Sequence, residues 1–253
     1  LWNTRLGFIL AASGSAVGLG NVWKFPYIVG QNGGGAFVLI YILCTVAVGL
    51  PIMLAEFTIG RKTSLNPVGA FQSLKPGTHW IQIGYMGVLA GFFILSFYAV
   101  VGGWTLAYVV KAFTQDISNF SSPQEAGQFF GSFIGNTWEV LFYHALFIGI
   151  CVGIVLRGVH GGIEKACKIL MPTLVIILII LMFRALTLPG AIEGVEFYLK
   201  PDFSRIDSKT VLIALGQAFF SLSLGMGCML TYGSYLPEQE NLTSSTVYIV
   251  IFD

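Results

Sequence analysis

Two short stretches, GSAVGLGN at residues 14–21 and SLSLGMG at residues 221–227, place serine hydroxyls, an asparagine amide and Gly-x-Gly steps inside otherwise apolar runs. Covalent chemistry is the weakest reading of them. Ser15, Ser221 and Ser223 have no histidine near them in sequence, and His79, His144 and His160 are scattered, so neither a nucleophile with its base nor a metal cluster emerges. Cys44, Cys151, Cys167 and Cys228 lie singly, without paired spacing, and read as packing residues. What the stretches do offer is backbone. An unpaired N–H or C=O is costly in hydrocarbon, so unwound chain survives there only where it lines a cavity or meets a ligand. A helix interrupted at mid-membrane presents carbonyls on one half and amides on the other, which suits a small cation and an anionic group side by side. The pair therefore points to a zwitterion bound together with a metal ion.

Two plainer readings compete. Glycines also let helices approach closely, and Gly14 and Gly18 fit a small-x-x-x-small pattern. A dinucleotide loop needs a preceding strand and an acidic residue about 20 positions on, yet no Asp or Glu precedes Glu56. Two matched interruptions favour the binding site over packing alone.

The elements that must carry these stretches are membrane helices. Of 253 residues, 55% are hydrophobic and only 10% are charged, with a mean hydropathy of +0.80. A net charge of +1 gives no basic excess for nucleic acid and no acidic tail. Windows of roughly 20 apolar residues predict spans near 6–30, 35–60, 81–113, 138–157, 166–187 and 210–235, with a seventh opening near Ser245 and cut off at Asp253. The chain thus reads as a piece of a larger membrane protein, and its first span as no signal peptide. With the N-terminus inside, the short inner stretches hold Arg5, Arg61, Lys62, Lys75, Arg157, Lys165 and Lys168, against Lys24 and Lys111 outside. That bias favours a cytoplasmic N-terminus. Glu238 and Glu240, on an inner loop without basic residues, dissent mildly. The sequons at Asn119 and Asn241 carry little weight, since this topology puts Asn241 inside. The interruptions fall in the first and sixth spans, five helices apart, as an inverted repeat of five helices would place them.

On the segments RLGFILAASGSAVGLGNVWKFPY (5–27), NGGGAF (32–37), GLPIMLAEFTIGR (49–61), SFYAVVGGW (96–104) and GQAFFSLSLGMG (216–227), the sequence resembles the neurotransmitter:sodium symporter family over its whole length. The resemblance implies an all-α integral membrane fold of two inverted five-helix repeats with unwound helices one and six. About half of it is present: residues 1–187 would form the first repeat, and 188–253 an outer loop, helix six and the start of helix seven.

The same resemblance implies two sodium sites. The first would use the Ala16 carbonyl, the Asn21 side chain, the Ser221 carbonyl and hydroxyl, and Asp253, which stands where Asn is common; such hard oxygens suit a hard cation. The second would use the Gly14 and Val17 carbonyls, its other ligands lying beyond Asp253. The substrate carboxylate would meet the first ion, the Leu19 and Gly20 amides and the Tyr98 hydroxyl, and the amino group would meet carbonyls of Ala16, Phe220 and Ser221. Gly18 stands where amine-transporting relatives carry Asp, so an amino acid is expected. Ile94, Phe220, Ser223 and Met226 would line a hydrophobic pocket, methionine adapting to side chains of different bulk.

Four further residues carry mechanism by resemblance. Glu56 would hydrogen-bond the unwound backbone of helix six; a snorkelling carboxylate beside Arg61 is the plainer role. Gly162 and Pro172, with nine residues between them, would let the inner end of helix five unwind. Lys24 replaces the arginine common at the external gate and cannot form its bidentate pair, and its partner is expected outside the chain. Tyr41, Gln217 and Ser221 match part of a chloride site whose deciding residue would lie just past Asp253.

These expectations combine into a sodium-coupled symporter of hydrophobic L-amino acids, not an enzyme, working by alternating access in the plasma membrane, with sodium, substrate and lipid as partners. A prokaryotic inner membrane is expected from the short outer loop without a cysteine pair. A non-transporting amino-acid sensor on the same fold is the alternative, and a channel is disfavoured because the breaks suggest an occluded site rather than a pore.

Overall fold

The computed structural model describes Trp2, residues 4–114, Phe120 and residues 122–253; Asn119 lies outside them. Regular structure among these residues is helical throughout. The chain forms two compact units, one made of the chain up to Val88 with Val159–Asp253, the other Leu89–Gly158.

In the first unit, α1 (Arg5–Ala16) begins where Thr4 Oγ1 accepts from the Gly7 N–H. A break follows, then a π turn at Gly20–Lys24 and α2 (Phe25–Gln31), the two halves bent by 45°. The second span is α3 (Gly35–Cys44), a π turn at Thr45–Gly49, and α4 (Leu50–Thr63). Both π turns end two residues before a proline, Pro26 and Pro51. A proline cannot donate to the fourth residue back and its ring crowds that carbonyl, so the preceding turn widens.

A short α5 (Pro67–Leu74), capped by Asn66, leads into α6 (Ile81–Phe113). Next in chain order come α7 (Pro123–Gly135) and α8 (Thr137–Val155), which belong to the second unit. Helix five starts earlier than hydropathy suggests, as a π turn at Val159–Glu164 running straight into α9 (Lys165–Leu186). Gly162 is buried inside that turn, and Pro172 sits within α9 without ending it. α10 (Ala191–Leu199) covers the NGGGAF stretch: Gly34, at φ 61°, and Gly35 each leave room for a carbonyl, of Phe197 and Tyr198, 2.5 Å from where a Cβ would stand. The sixth span is α11 (Ser208–Ser221), a break, and α12 (Cys228–Ser234); α13 (Leu242–Phe252) starts on an Asn241 cap, a little before Ser245.

The core of this unit joins Phe8 and Ala12 of α1, Met53 and Phe57 of α4, Leu222 and Leu224 of the second break, Met229 of α12 and Ile249 of α13. Glycines set how closely α4 and α12 approach. A Cβ at Gly60 would overlap the Leu230 carbonyl, and one at Gly233 would sit 2.8 Å from the Phe57 carbonyl.

The second unit contains α6 from Leu89 together with α7 and α8. Gly102 and Gly103 let α8 come close, facing the Phe147 ring and the His144 backbone. Trp104 and Tyr108 pack on Phe130 and Phe133, while Lys111 pairs with Glu139 at 2.9 Å.

Helices α5, α7 and α10 escape a hydropathy scan because they are short and amphipathic; caps at Asn66 and Ser122 mark the first two. Large apolar side chains such as Ile180 and Phe183 of α9 are each 61% exposed. Such faces suit lipid, where apolar surface is not penalised.

Candidate functional site

The first break starts after Ala16, which is buried. The Gly18 N–H donates to Asn21 Oδ1 at 3.2 Å instead of to the Gly14 carbonyl. The Asn21 and Val22 N–H groups both donate to the Gly18 carbonyl at 3.1 Å. The N–H groups four residues after Gly14 and Val17, those of Gly18 and Asn21, thereby bond elsewhere. Neither Gly14, Gly18 nor Gly20 takes a left-handed φ. Gly14 and Gly20 serve close approach, to Met171 of α9 and to the Phe220 ring, at 3.3 and 3.0 Å from the Cβ position. The packing role weighed from sequence is thus real at Gly14, but it accompanies the break rather than replacing it.

The second break is built differently. Ser223, Gly225 and Gly227 have φ of 55°, 77° and 75°, a left-handed zigzag between α11 and α12. The Gly225 N–H donates to Glu56 Oε1 at 2.7 Å. Glu56 therefore reaches the unwound backbone of the sixth span, as the resemblance implied, and is not a snorkelling partner of Arg61.

Side chains tie the two breaks together. Ser223 Oγ donates to the Ser15 carbonyl at 2.9 Å, and the buried Gln217 Nε2 donates to the Gly20 carbonyl at 3.3 Å. Asn21 Nδ2 reaches Ser221 Oγ at 3.0 Å and Asp253 Oδ1 at 2.8 Å. Ser221 Oγ lies 2.6 and 2.7 Å from the two Asp253 carboxylate oxygens, and the Tyr41 hydroxyl donates to Oδ2 at 3.0 Å. Residues 21, 41, 221 and 253 thus meet at one point.

This donor set fits a small hard cation on one condition. The Asn21 amide presents its nitrogen to Ser221 and Asp253, and its oxygen to Gly18. The N–H₂ group, carrying partial positive charge, lies where a cation would. Turning the amide over would replace it by Oδ1, completing an all-oxygen set with the Asp253 carboxylate and the Ser221 hydroxyl and giving up the Gly18 hydrogen bond in exchange.

Leu19 and Gly20 stand at the start of the π turn that leads into α2. Lys24 finds a partner within the chain, its Nζ 4.1 Å from the centre of the Phe220 ring, a cation–π contact. Met226 lines a cavity of about 360 Å³ with Trp2, Ile163, Cys228 and Tyr232. Ile94 and Tyr98 lie on α6 within the second unit.

Sequence reasoning missed two ionic clusters at the expected inner end. Arg5 pairs with Glu240 at 2.9 Å, and Arg61 donates to the Glu240 carbonyl at 2.7 Å, so the dissenting acidic loop is held by basic residues far away in sequence. The buried Glu164 accepts from Lys168 at 2.7 Å and faces His160 at 3.1 Å. The i, i+4 spacing of 160, 164 and 168 was the available signal; separations as long as that between Arg5 and Glu240 leave none.

Known proteins bear on this arrangement directly. The sequence profile of the sodium:neurotransmitter symporter family matches residues 1–125 and 130–253. An uncharacterised sodium-dependent transporter of Bacillus subtilis is 44% identical over 100% of this chain and 56% of its own length. The human sodium- and chloride-dependent GABA transporter 2 is 30% identical over 95% of this chain and 46% of its own. The crystal structure of MhsT in complex with L-phenylalanine superposes with a TM-score of 0.91 at 49% identity, covering 98% of this chain and 56% of that one. The chain spans about half the length of the relatives it matches. The fold is therefore the all-α membrane fold with broken first and sixth helices, in a family of symporters rather than enzymes. With two interrupted spans joined at residues 21 and 221 and a profile match along nearly its whole length, the chain belongs to the sodium:neurotransmitter symporter family.

Proposed function

We propose that the protein couples inward movement of sodium to uptake of a hydrophobic L-amino acid by alternating access. The observation that carries this reading is the meeting of Asn21, Ser221, Tyr41 and Asp253 between two unwound spans. Sodium at the first site would be held by the Ala16 carbonyl, Asn21, Ser221 and Asp253. A second ion would use the Gly14 and Val17 carbonyls, a reading supported by the Gly18 and Asn21 N–H groups bonding elsewhere. The substrate carboxylate would approach the Leu19 and Gly20 amides at the amide end of the broken helix. Gly18 supplies no carboxylate to pair with an amine, which supports an amino acid over a monoamine.

Phe220, Ser223 and Met226 are proposed to shape the side-chain pocket; Ile94 and Tyr98 join them on resemblance alone. MhsT, similar to this chain, was solved with L-phenylalanine, which supports a hydrophobic substrate. The basic residues Arg5 and Arg61, clustered with Glu240, support a cytoplasmic N-terminus, and bacterial relatives support a prokaryotic inner membrane. The division into a first repeat at 1–187 and the start of a second at 188–253 follows the same reading.

Chloride figures in the human relative's name, but here the Tyr41 and Ser221 hydroxyls are directed at the Asp253 carboxylate. We therefore read transport as independent of chloride. The test is binding of labelled leucine, tryptophan and glycine to the complete protein with and without sodium, followed by counterflow in liposomes. Sodium-dependent binding of leucine or tryptophan with exchange supports a symporter. Binding without exchange would favour the sensor, and sodium-independent binding would overturn the coupling.

A further inference from the structure

The inner half of the first span rests on helix five through a carboxylate. Glu164 is 1% exposed, and a Cβ at Gly7 would overlap its carboxyl group, so α1 lies directly on it. Thr4 Oγ1, at the start of α1, lies 3.4 Å from Oε1. From its own helix, Lys168 Nζ reaches Oε1 at 2.7 Å and His160 Nδ1 reaches Oε2 at 3.1 Å. Among charged groups on the elements packed here, Arg5 of α1 is paired with Glu240, and Lys165 is exposed. A buried carboxylate is stabilised only in proportion to the donors around it.

We infer that Glu164 latches the inner half of α1 onto the π turn at Val159–Glu164, and that protonation of His160 tightens the latch. Protonated His160 adds a second cation to Glu164 and strengthens its bond. With His160 neutral, the Lys168 pair at Oε1 remains. Histidine changes charge between about pH 5 and pH 8, and the His160 side chain is 42% exposed, so protons reach it from water. Below that range the ring carries a charge that Glu164 can meet, and above it the ring does not. In a transporter this latch would guard the inner exit. The meaning of opening rests on the symporter reading, but the geometry does not.

The test is hydrogen exchange of segment 158–172 in the complete protein, in nanodiscs without sodium, at about pH 5.5 and about pH 8. Rates are taken as variant-to-parent ratios at each pH, which cancels intrinsic exchange. Parent and His160→Gln should agree near pH 8, and His160→Gln should exchange about threefold faster near pH 5.5, the modest size reflecting a partly screened pair. His160→Arg should be protected at both pH values. Glu164→Gln should exchange about tenfold faster at both. Equal protection of parent and His160→Gln near pH 5.5 would overturn the histidine's role, and an unchanged Glu164→Gln would overturn the latch. If Glu164→Gln does not fold, the exposed His160 variants still decide. Because exchange is read without transport, failure here is separate from failure of the symporter reading.

Discussion

The two breaks lie side by side yet are made by different means. In the first, the glycines have ordinary backbone geometry and exist to admit Met171 and Phe220, while Asn21 redirects the local hydrogen bonds. In the second, three left-handed residues turn the chain, and Glu56 from a neighbouring helix holds the freed amide of Gly225. The same letters, Gly-x-Gly, therefore mean close approach in one place and backbone conformation in the other. The first break is supported from within its own segment and the second from outside it.

The largest effect should come from the point the breaks share. Asp253→Asn removes a charged acceptor from Asn21, Ser221 and Tyr41, and at about 1.5–3 kcal/mol per charge-assisted bond sodium-dependent substrate binding should weaken about 100-fold or more. A sodium titration of labelled-substrate binding reads this, and an unchanged midpoint would separate Asp253 from the ion. In the parent, exchanging chloride for gluconate should leave uptake unaltered.

Next come the glycines, which set the breaks apart. Gly227→Ala forces a side chain into φ 75° with its Cβ 2.5 Å from Pro67, costing about 2–4 kcal/mol, whereas Gly14→Ala meets the flexible Met171 at 3.3 Å and Cys167 at 3.5 Å and should cost under about 1 kcal/mol. Thermal unfolding in detergent compares them, and equal losses would erase the distinction.

Glu56→Gln weakens the outside support of the second break alone. Exchange at the Gly225 amide should rise about tenfold while amides 18–22 keep their rates. Ser223→Gly should be nearly neutral, because relief of about 1 kcal/mol of left-handed strain offsets loss of a bond of about 1 kcal/mol to the Ser15 carbonyl; a large loss would show that the hydroxyl matters more than the turn.

The smallest effect lies at the start of the sixth span, where the side chain and backbone N–H of Thr210 hold the capping Asp207 carboxyl below its usual range. A depressed carboxyl stabilises the fold above its unfolded value, near pH 3.9, and that support fades as pH falls through the folded value. Asp207→Asn should therefore narrow the stability difference between neutral and strongly acidic solution, as unfolding at the two pH values would show.

Composition and spacing by themselves determined the membrane class, the spans and the two interruptions, because an apolar run that stops being apolar for a few residues is a local signal. The motifs also carried, by resemblance, the meeting of residues 21 and 221. Only the tertiary structure decided what each glycine is for, since GSAVGLGN and SLSLGMG look alike until φ and neighbours are known. It alone gave Lys24 its Phe220 partner, joined Arg5 to Glu240, and set Glu164 beneath Gly7. Hydropathy reports the solvent of each residue, whereas these contacts join positions far apart in the chain that meet only once the helices are packed.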